Sequence, residues 1–132
     1  MKSYKAFVAE ANAVITTLSV AEAAAQVGDT DVVLVDLRGE TELANTGIIP
    51  GAVHVTRGML EFVIDPTSPY HNPIFGADKT FIFYCASGGR SALATQRAQE
   101  MGLARVAHIG GGLKAWKEAG YTLEPYQPPV AA

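Results

Sequence analysis

The residue best suited to nucleophilic chemistry is Cys85, the sole cysteine of this 132-residue chain. A glycine-containing loop follows it, made of Ala86, Ser87, Gly88, Gly89, Arg90 and Ser91. Glycines let the backbone turn so that successive N–H groups point inward, and the start of a following helix adds more unpaired N–H donors. With the positive charge of Arg90, this setting favours a thiolate over a thiol. The loop therefore predicts a reactive sulfur, as thiolate or persulfide, held by backbone donors.

A lone cysteine also has a structural interpretation. It cannot form an internal disulfide, so Cys85 is either a small buried residue at the end of a core strand or a reactive thiol. The Gly-Gly-Arg-Ser sequence that follows within a few residues favours reactivity, because it creates an electropositive environment. We therefore expect Cys85 to be the catalytic nucleophile.

Short apolar runs alternate with helical stretches along the chain. The runs predict strands at 32–35, 52–55, 81–84 and 106–109. Helices are predicted near the N-terminus and at 20–27, 40–44, 59–64, 90–101 and 113–118. The helix at 20–27 follows a capping box formed by Ser19 and Glu22. This alternation predicts an α/β fold: a parallel sheet covered by helices on both faces.

Residues with chemical potential follow three of these strands directly. Asp36, Cys85 and Gly110 each come immediately after a predicted strand. In parallel sheets, ligand sites lie beyond the carboxyl ends of the strands. We therefore expect all three residues at one edge of the sheet, with the cysteine where such folds place their chemistry.

Composition excludes several classes of protein and partner. Apolar residues make up 48% of the chain and charged residues 17%, which is typical of a globular domain. The net charge is −3 and no cluster of Lys and Arg occurs, so nucleic acid and anionic membranes are not expected partners. We expect one domain over residues 1–132, with a core at about 15–122, a loose tail at 123–132 and a cytoplasmic location.

Four segments together resemble the rhodanese family. The Cys85 loop is similar to the active-site loop of single-domain rhodaneses, and the Val35-Asp36-Leu37-Arg38 segment resembles the family's Asp-x-Arg motif. Residues 47–54 are similar to its Gly-x-Ile-Pro-Gly-Ala-x-His segment, and residues 111–116 to its Gly-Gly-x-x-x-Trp motif. The resemblance implies a three-layer α/β/α, rhodanese-like domain whose five parallel strands run in the order 3-2-4-5-1.

The resemblance also implies a rhodanese-type, thiosulfate:cyanide-like sulfurtransferase. Cys85 would take a sulfane sulfur from thiosulfate, a polysulfide or a persulfide, and cyanide, glutathione or a protein thiol would remove it. This two-step covalent chemistry needs no cofactor. Basic side chains after the cysteine favour thiosulfate in this family. Because Ala86 and Ser87 are uncharged, we expect weak use of that dianion and better use of less charged donors.

Other conspicuous residues receive structural interpretations. Asp36 is expected to accept backbone N–H bonds, and Arg38 to pair with Glu40 or Glu42. A structural hydrogen bond is also expected for His54. Arg57 either faces the site and binds an anionic donor or pairs with Glu61, and the sequence leaves both open. No metal is predicted, since His71 and His108 have no ligand partners at suitable spacing.

Two other functions remain open at this stage. One is a cysteine phosphatase or arsenate reductase, a class that resembles this loop but usually has a longer spacing between Cys and Arg. Here four residues separate Cys85 from Arg90, which suits a single sulfur atom better than a tetrahedral oxyanion. The other is a binding module or a persulfide carrier without turnover.

Overall fold

A parallel five-stranded sheet forms the centre of the computed structural model, which describes residues 1–128. All strand pairs are parallel, and the order across the sheet is β1-β5-β4-β2-β3. The strands are β1 (Thr17–Leu18), β2 (Val32–Asp36), β3 (Val53–His54), β4 (Thr80–Tyr84) and β5 (Val106–Ile109). The order expected from the resemblance is confirmed.

Six α-helices and two short 3₁₀ segments accompany the strands in the described part of the chain. The helices are α1 (Tyr4–Val14), α2 (Val20–Ala24), α3 (Glu40–Thr46), α4 (Leu60–Ile64), α5 (Gly89–Glu100) and α6 (Gly112–Glu118). The 3₁₀ segments are Arg57–Met59 and Pro73–Gly76. Within residues 1–128, no helix combines the length and apolar character needed to cross a membrane.

Two apolar cores lie on opposite faces of the sheet. On one face, Val33, Val35, Phe81 and Phe83 pack against α4 and α5. On the other face, Leu34, Ile82 and Ile109 pack with Ala23 of α2 and with Leu113 and Trp116 of α6. Successive strand residues alternate between these cores, which explains why the strands are continuously apolar. The fold is a three-layer α/β/α arrangement.

The strands predicted from apolar runs are confirmed, and β1 was missed. β1 has only two residues, Thr17 and Leu18, which pair with His108 and Ile109 of β5. So short a segment has no periodicity of its own, and its partner strand defines it. The capping box is confirmed: Ser19 and Glu22 each accept the other's backbone N–H at the start of α2. That helix ends at Ala24, earlier than predicted, in a turn that reaches Gly28.

Both ends of the predicted core need correction. Helix α1 lies before residue 15, yet Ala11 is fully buried and the Gln99 side chain of α5 donates to the carbonyl of Val14. The tail is not loose at its start, because Glu124 exchanges two backbone hydrogen bonds with Ile48 and Leu123 packs on the core. Residues 129–132 of the expected tail lie outside the described residues.

Candidate active site

Cys85 lies at the carboxyl end of β4, with its side chain almost entirely buried. The chain turns at Gly88, whose φ of 106° is in the left-handed region that favours glycine, and α5 starts at the next residue. Two backbone N–H groups point at the sulfur: Gly88 N is 3.2 Å and Ser91 N is 3.4 Å from Cys85 Sγ. The Ser91 hydroxyl lies 3.6 Å from the same atom. Such converging donors stabilise an anionic sulfur.

The first turn of α6 holds this loop by two backbone hydrogen bonds. Leu113 N donates to the carbonyl of Cys85 at 2.9 Å, and Lys114 N donates to that of Ala86 at 3.0 Å. Gly112 makes this approach feasible. A Cβ atom there would lie 2.6 Å from the Cys85 carbonyl oxygen, and its φ of 59° is also left-handed. The Gly-Gly-x-x-x-Trp segment thus contacts the cysteine loop directly.

Arg90 projects from the loop towards helix α3. Its guanidinium binds both carboxylate oxygens of Glu42, at 2.8 and 3.0 Å. These hydrogen bonds lower the pKa of Glu42 to about 2 and raise the pKa of Arg90. The Arg90 charge at the sulfur is therefore largely compensated. The sequence motif places Arg90 in the loop but does not identify Glu42 as its partner.

The partner expected for Arg38 was wrong. Arg38 is buried and pairs with Asp36, not with Glu40 or Glu42; its Nη2 lies 2.8 Å from Asp36 Oδ2. The remaining guanidinium bonds go to the Thr46 hydroxyl and the Gly47 carbonyl, both at 2.8 Å. Asp36 and Arg38 are two positions apart and both are buried, so their side chains can pair without exposing either charge. Asp36 also accepts the Arg38 N–H, as expected.

His54 and Arg57 do not contact the cysteine loop. His54 Nε2 is 2.5 Å from the Arg38 carbonyl, and its ring packs edge-on against Tyr126. The expected structural bond of His54 is therefore present. Of the two options for Arg57, the structure has the ion pair with Glu61, at 2.8 Å.

Sequence reasoning missed a network behind Ser91. The Ser91 hydroxyl lies 2.9 Å from Nδ1 of His108, a buried histidine in β5. Nε2 of the same ring lies 3.1 Å from the Thr17 hydroxyl and 3.2 Å from Asn12 Oδ1. The signal was present in the sequence, since a histidine within a buried strand needs partners for its ring nitrogens.

Two cavities open beside the loop, and a larger cleft lies elsewhere. One cavity of about 230 Å³ is bordered by Asn12, Thr17, Ser87 and His108. A second, of about 440 Å³, lies between Ala86, Glu42 and Lys114. The larger cleft, of about 890 Å³, is lined by His54, Tyr70, His71 and Tyr126 and includes no residue from 85 to 91. Within residues 1–128, no three His, Cys, Asp or Glu side chains cluster to hold a metal.

Comparison with known proteins agrees with the motifs and the fold. A family model described as a rhodanese-like domain matches residues 19–119. A sulfurtransferase from Allochromatium vinosum is 32% identical over 90 residues, which cover 68% of this chain and 76% of that protein.

Solved structures extend the likeness. The polysulfide-sulfur transferase of Wolinella succinogenes matches with a TM-score of 0.69 and 26% identity, over 92% of this chain and 86% of its own. A Rhodopseudomonas palustris protein, described as of unknown function and a possible tyrosine phosphatase, matches with a TM-score of 0.91 and 54% identity. That match covers 94% of this chain and 96% of the other.

Proposed function

The chain belongs to the family of rhodanese-like domains, and we propose that it is a sulfurtransferase whose Cys85 carries the transferred sulfur as a persulfide. The observation that carries the proposal is the convergence of Gly88 N–H, Ser91 N–H and the Ser91 hydroxyl on the buried Cys85 sulfur. A buried sulfur that accepts two backbone N–H groups, with a hydroxyl 3.6 Å away, is suited to hold negative charge during two successive transfers.

The reaction follows from the chemistry of sulfur. The Cys85 thiolate attacks the outer sulfur of a donor, a new S–S bond forms, and the donor's remainder leaves with the electron pair of the broken bond. An acceptor thiolate or cyanide then attacks the terminal sulfur of the persulfide and releases Cys85 as a thiolate. Atoms and electrons balance without a cofactor. The loop donors hold the charge that returns to the Cys85 sulfur in the second step.

The charge around the loop favours donors of low charge. Ala86 is partly exposed and Ser87 is exposed, and neither carries a charge. Arg90, the basic residue of the loop, is held by Glu42. A polysulfide or a persulfide therefore suits this site better than the thiosulfate dianion does. A thiol, of a small molecule or a protein, is the acceptor that we propose, with cyanide as a laboratory substitute.

A phosphatase function is the second candidate, because the Rhodopseudomonas palustris protein is described as a possible tyrosine phosphatase. A phosphate bound at a cysteine loop needs a cation directed at its oxygens. In this chain the Arg90 guanidinium is engaged in two hydrogen bonds with Glu42 instead. Four residues separate Cys85 from Arg90, a short spacing for a ring around a tetrahedral oxyanion. Sulfur transfer fits this arrangement better.

Mass spectrometry of the wild type and two variants tests the proposal. After incubation with a polysulfide or glutathione persulfide, the wild type is expected to gain the mass of one sulfur, which a thiol reductant removes. Cys85→Ser should keep the fold and gain no sulfur, while the neighbouring Ser87→Ala should behave like the wild type. Turnover with a thiol acceptor distinguishes an enzyme from a carrier. The proposal fails if no donor adds sulfur, or if the wild type hydrolyses an aryl phosphate and forms no persulfide.

A further inference from the structure

A continuous chain of hydrogen bonds leads from the buried Cys85 sulfur to solvent-facing side chains. It passes from Cys85 Sγ to the Ser91 hydroxyl at 3.6 Å and from there to His108 Nδ1 at 2.9 Å. His108 Nε2 then meets Thr17 and Asn12, which line the cavity of about 230 Å³. Cys85, Ser91 and His108 are at most 2% exposed, whereas Asn12 and Thr17 are exposed. The chain therefore connects an enclosed thiol with solvent.

The partners of the histidine ring accommodate both of its neutral tautomers. When Nε2 carries the proton, it donates to Asn12 Oδ1, and Nδ1 then accepts from the Ser91 hydroxyl. Ser91 in that case offers a lone pair to the thiol proton of Cys85. When Nδ1 carries the proton, it donates to Ser91 Oγ, and Nε2 accepts from the Thr17 hydroxyl. The Ser91 proton, which also has the Gly88 carbonyl as an acceptor 3.3 Å away, then turns to the sulfur anion.

The environment of the ring favours its neutral form. Burial lowers the pKa of His108, which disfavours an imidazolium. The groups that bond the ring are uncharged: Asn12 of α1, Thr17 of β1 and Ser91 of α5. The turn before α6 borders the same cavity with Gly110 and Gly111. Besides His108, the titratable group along this chain of hydrogen bonds is Cys85, and the charged side chain near it is Arg90, which pairs with Glu42.

We propose that Ser91 and His108 form a proton relay for Cys85, in which His108 is a positioning residue that turns the Ser91 hydroxyl between acceptor and donor. The thiol proton passes to Ser91 Oγ while the Ser91 proton passes to His108 Nδ1. The Nε2 proton, which has both Asn12 Oδ1 and Thr17 Oγ1 within reach, passes to Thr17 Oγ1 as the hydroxyl proton of Thr17 leaves to water. One proton is released, and the ring ends in the other tautomer. The inference rests on the proposed function, since it explains how a buried thiol becomes the attacking thiolate.

The N-terminal segment completes this relay. Asn12 and Thr17 precede residue 19, where the match to the rhodanese-like family model begins. Helix α1 is fixed on α5 by the bond from the Gln99 side chain to the Val14 carbonyl. The segment before residue 19 thus contributes both solvent-side partners of the His108 ring. That ring is linked to the Cys85 sulfur by two hydrogen bonds through Ser91.

The pH dependence of Cys85 alkylation by iodoacetamide, a neutral reagent, tests the relay in the full-length protein. Thr17→Val removes the donor that supports the thiolate state and should shift the profile to higher pH. Asn12→Ala removes the acceptor that supports the thiol state and should shift it to lower pH. Each shift should change the rate at neutral pH by roughly threefold, as for a single hydrogen bond. Ser91→Ala removes a donor to the anion and should slow alkylation by about tenfold.

A double-mutant comparison separates the relay from a structural role. In a His108→Phe background, the substitutions at Asn12 and Thr17 should no longer shift the profile. His71→Asn is the matched control, because His71 bonds the Val63 carbonyl far from this loop. Shifts in the same direction, or no shift, would overturn the relay. If His108→Phe does not fold, the opposite pH shifts expected for Thr17→Val and Asn12→Ala still test the relay. If the wild type forms no persulfide but the shifts appear, the proposed function fails and the relay stands.

Discussion

Two buried polar clusters lie side by side at the carboxyl edge of the sheet, and they satisfy their polar atoms in different ways. At the end of β2, Asp36 and Arg38 neutralise each other, and the other bonds of Arg38 go to Thr46 and Gly47. At the end of β4, the Cys85 sulfur faces two backbone N–H groups and one hydroxyl. Asp36 and Tyr84 are register partners, so the two clusters are adjacent.

The difference separates a fixed cluster from one that can rearrange. The Asp36–Arg38 pair has opposite charges in contact and no exposed surface, so any movement would leave a buried charge unpaired. Each hydrogen bond to the Cys85 sulfur is weak by itself, and the Ser91 hydroxyl can change from acceptor to donor by rotating. The first cluster holds the segment that leads into α3, and the second can accept changes of charge at the sulfur. Three sets of variants, described below from the largest expected effect to the smallest, test this contrast.

The largest effect is expected from Arg38→Met. This change leaves the Asp36 carboxylate buried without its partner, which should lower the free energy of unfolding by about 3–5 kcal/mol. Urea denaturation of the wild type and the variant measures the loss. Cys85→Ser is the comparison at the other cluster and should change stability by about 1 kcal/mol or less.

The double variant Asp36→Asn with Arg38→Met sharpens this test. Because it removes the uncompensated charge, it should recover part of the stability that Arg38→Met alone loses. Equal stability of the wild type and Arg38→Met would mean that the Asp36–Arg38 pair does not fix the fold. A large stability loss in Cys85→Ser would mean that the two clusters do not differ as described.

A smaller effect, on donor selection, is expected from charge added beside the sulfur. The double variant Ala86→Arg with Ser87→Lys places two cations at loop positions that are uncharged in this chain. At roughly 0.5–1 kcal/mol for each partly exposed charge, kcat/KM for thiosulfate should rise by about tenfold. Glutathione persulfide, which has less charge at the reacting sulfur, should gain less.

Salt dependence provides the control for this variant. The gain on thiosulfate should shrink as ionic strength rises, because exposed charges are screened. Ala86→Gln with Ser87→Gln has long polar side chains without charge and should leave the preference unchanged. The charge argument fails if the wild type already uses thiosulfate with a low KM or if both donors gain equally.

The sequence predicted most of the sheet and the identity of the loop, because both depend on local patterns. Buried strands such as β4 appear as continuous apolar runs, and the glycines after Cys85 indicate the turn at Gly88. Strand β1 was not predicted, since its pairing with β5 defines it. The partner of Arg38 was wrong because sequence spacing suggests several nearby carboxylates and only packing selects Asp36.

Contacts between distant elements account for the rest of what was missed. Glu42 reaches Arg90 across 48 positions, and Asn12 reaches His108 across 96. Glu42 lies at a capping position of α3, and Asn12 lies in α1. Neither has a sequence neighbour that indicates a contact with Arg90 or His108. The buried histidine in β5 was the one available signal, and it indicated a need for partners without identifying them.

The smallest effect concerns Glu42, which joins the two clusters because it lies in α3 and binds Arg90 of the cysteine loop. The hydrogen bonds from Arg90 lower its pKa from the ordinary 4.5 to about 2. Between these values the unfolded chain binds a proton that the folded protein does not bind. The pair therefore stabilises the fold fully above about pH 4.5 and loses this contribution as pH falls towards about 2.

Glu42→Gln should accordingly lower the free energy of unfolding by less than about 1 kcal/mol near neutral pH, since both side chains are about two-fifths exposed. The Gly39 N–H, which donates to a carboxylate oxygen of Glu42, has the amide oxygen of the Gln as acceptor in the variant, so the start of α3 should remain capped. Urea titrations at several pH values should show the difference from the wild type shrinking as the solution is acidified. Glu40→Gln, a neighbour in the same first turn without a bond to Arg90, is the matched control. A difference that does not vary with pH would mean that the Glu42 carboxylate stabilises the fold by packing alone, and the two clusters would then lack an electrostatic link.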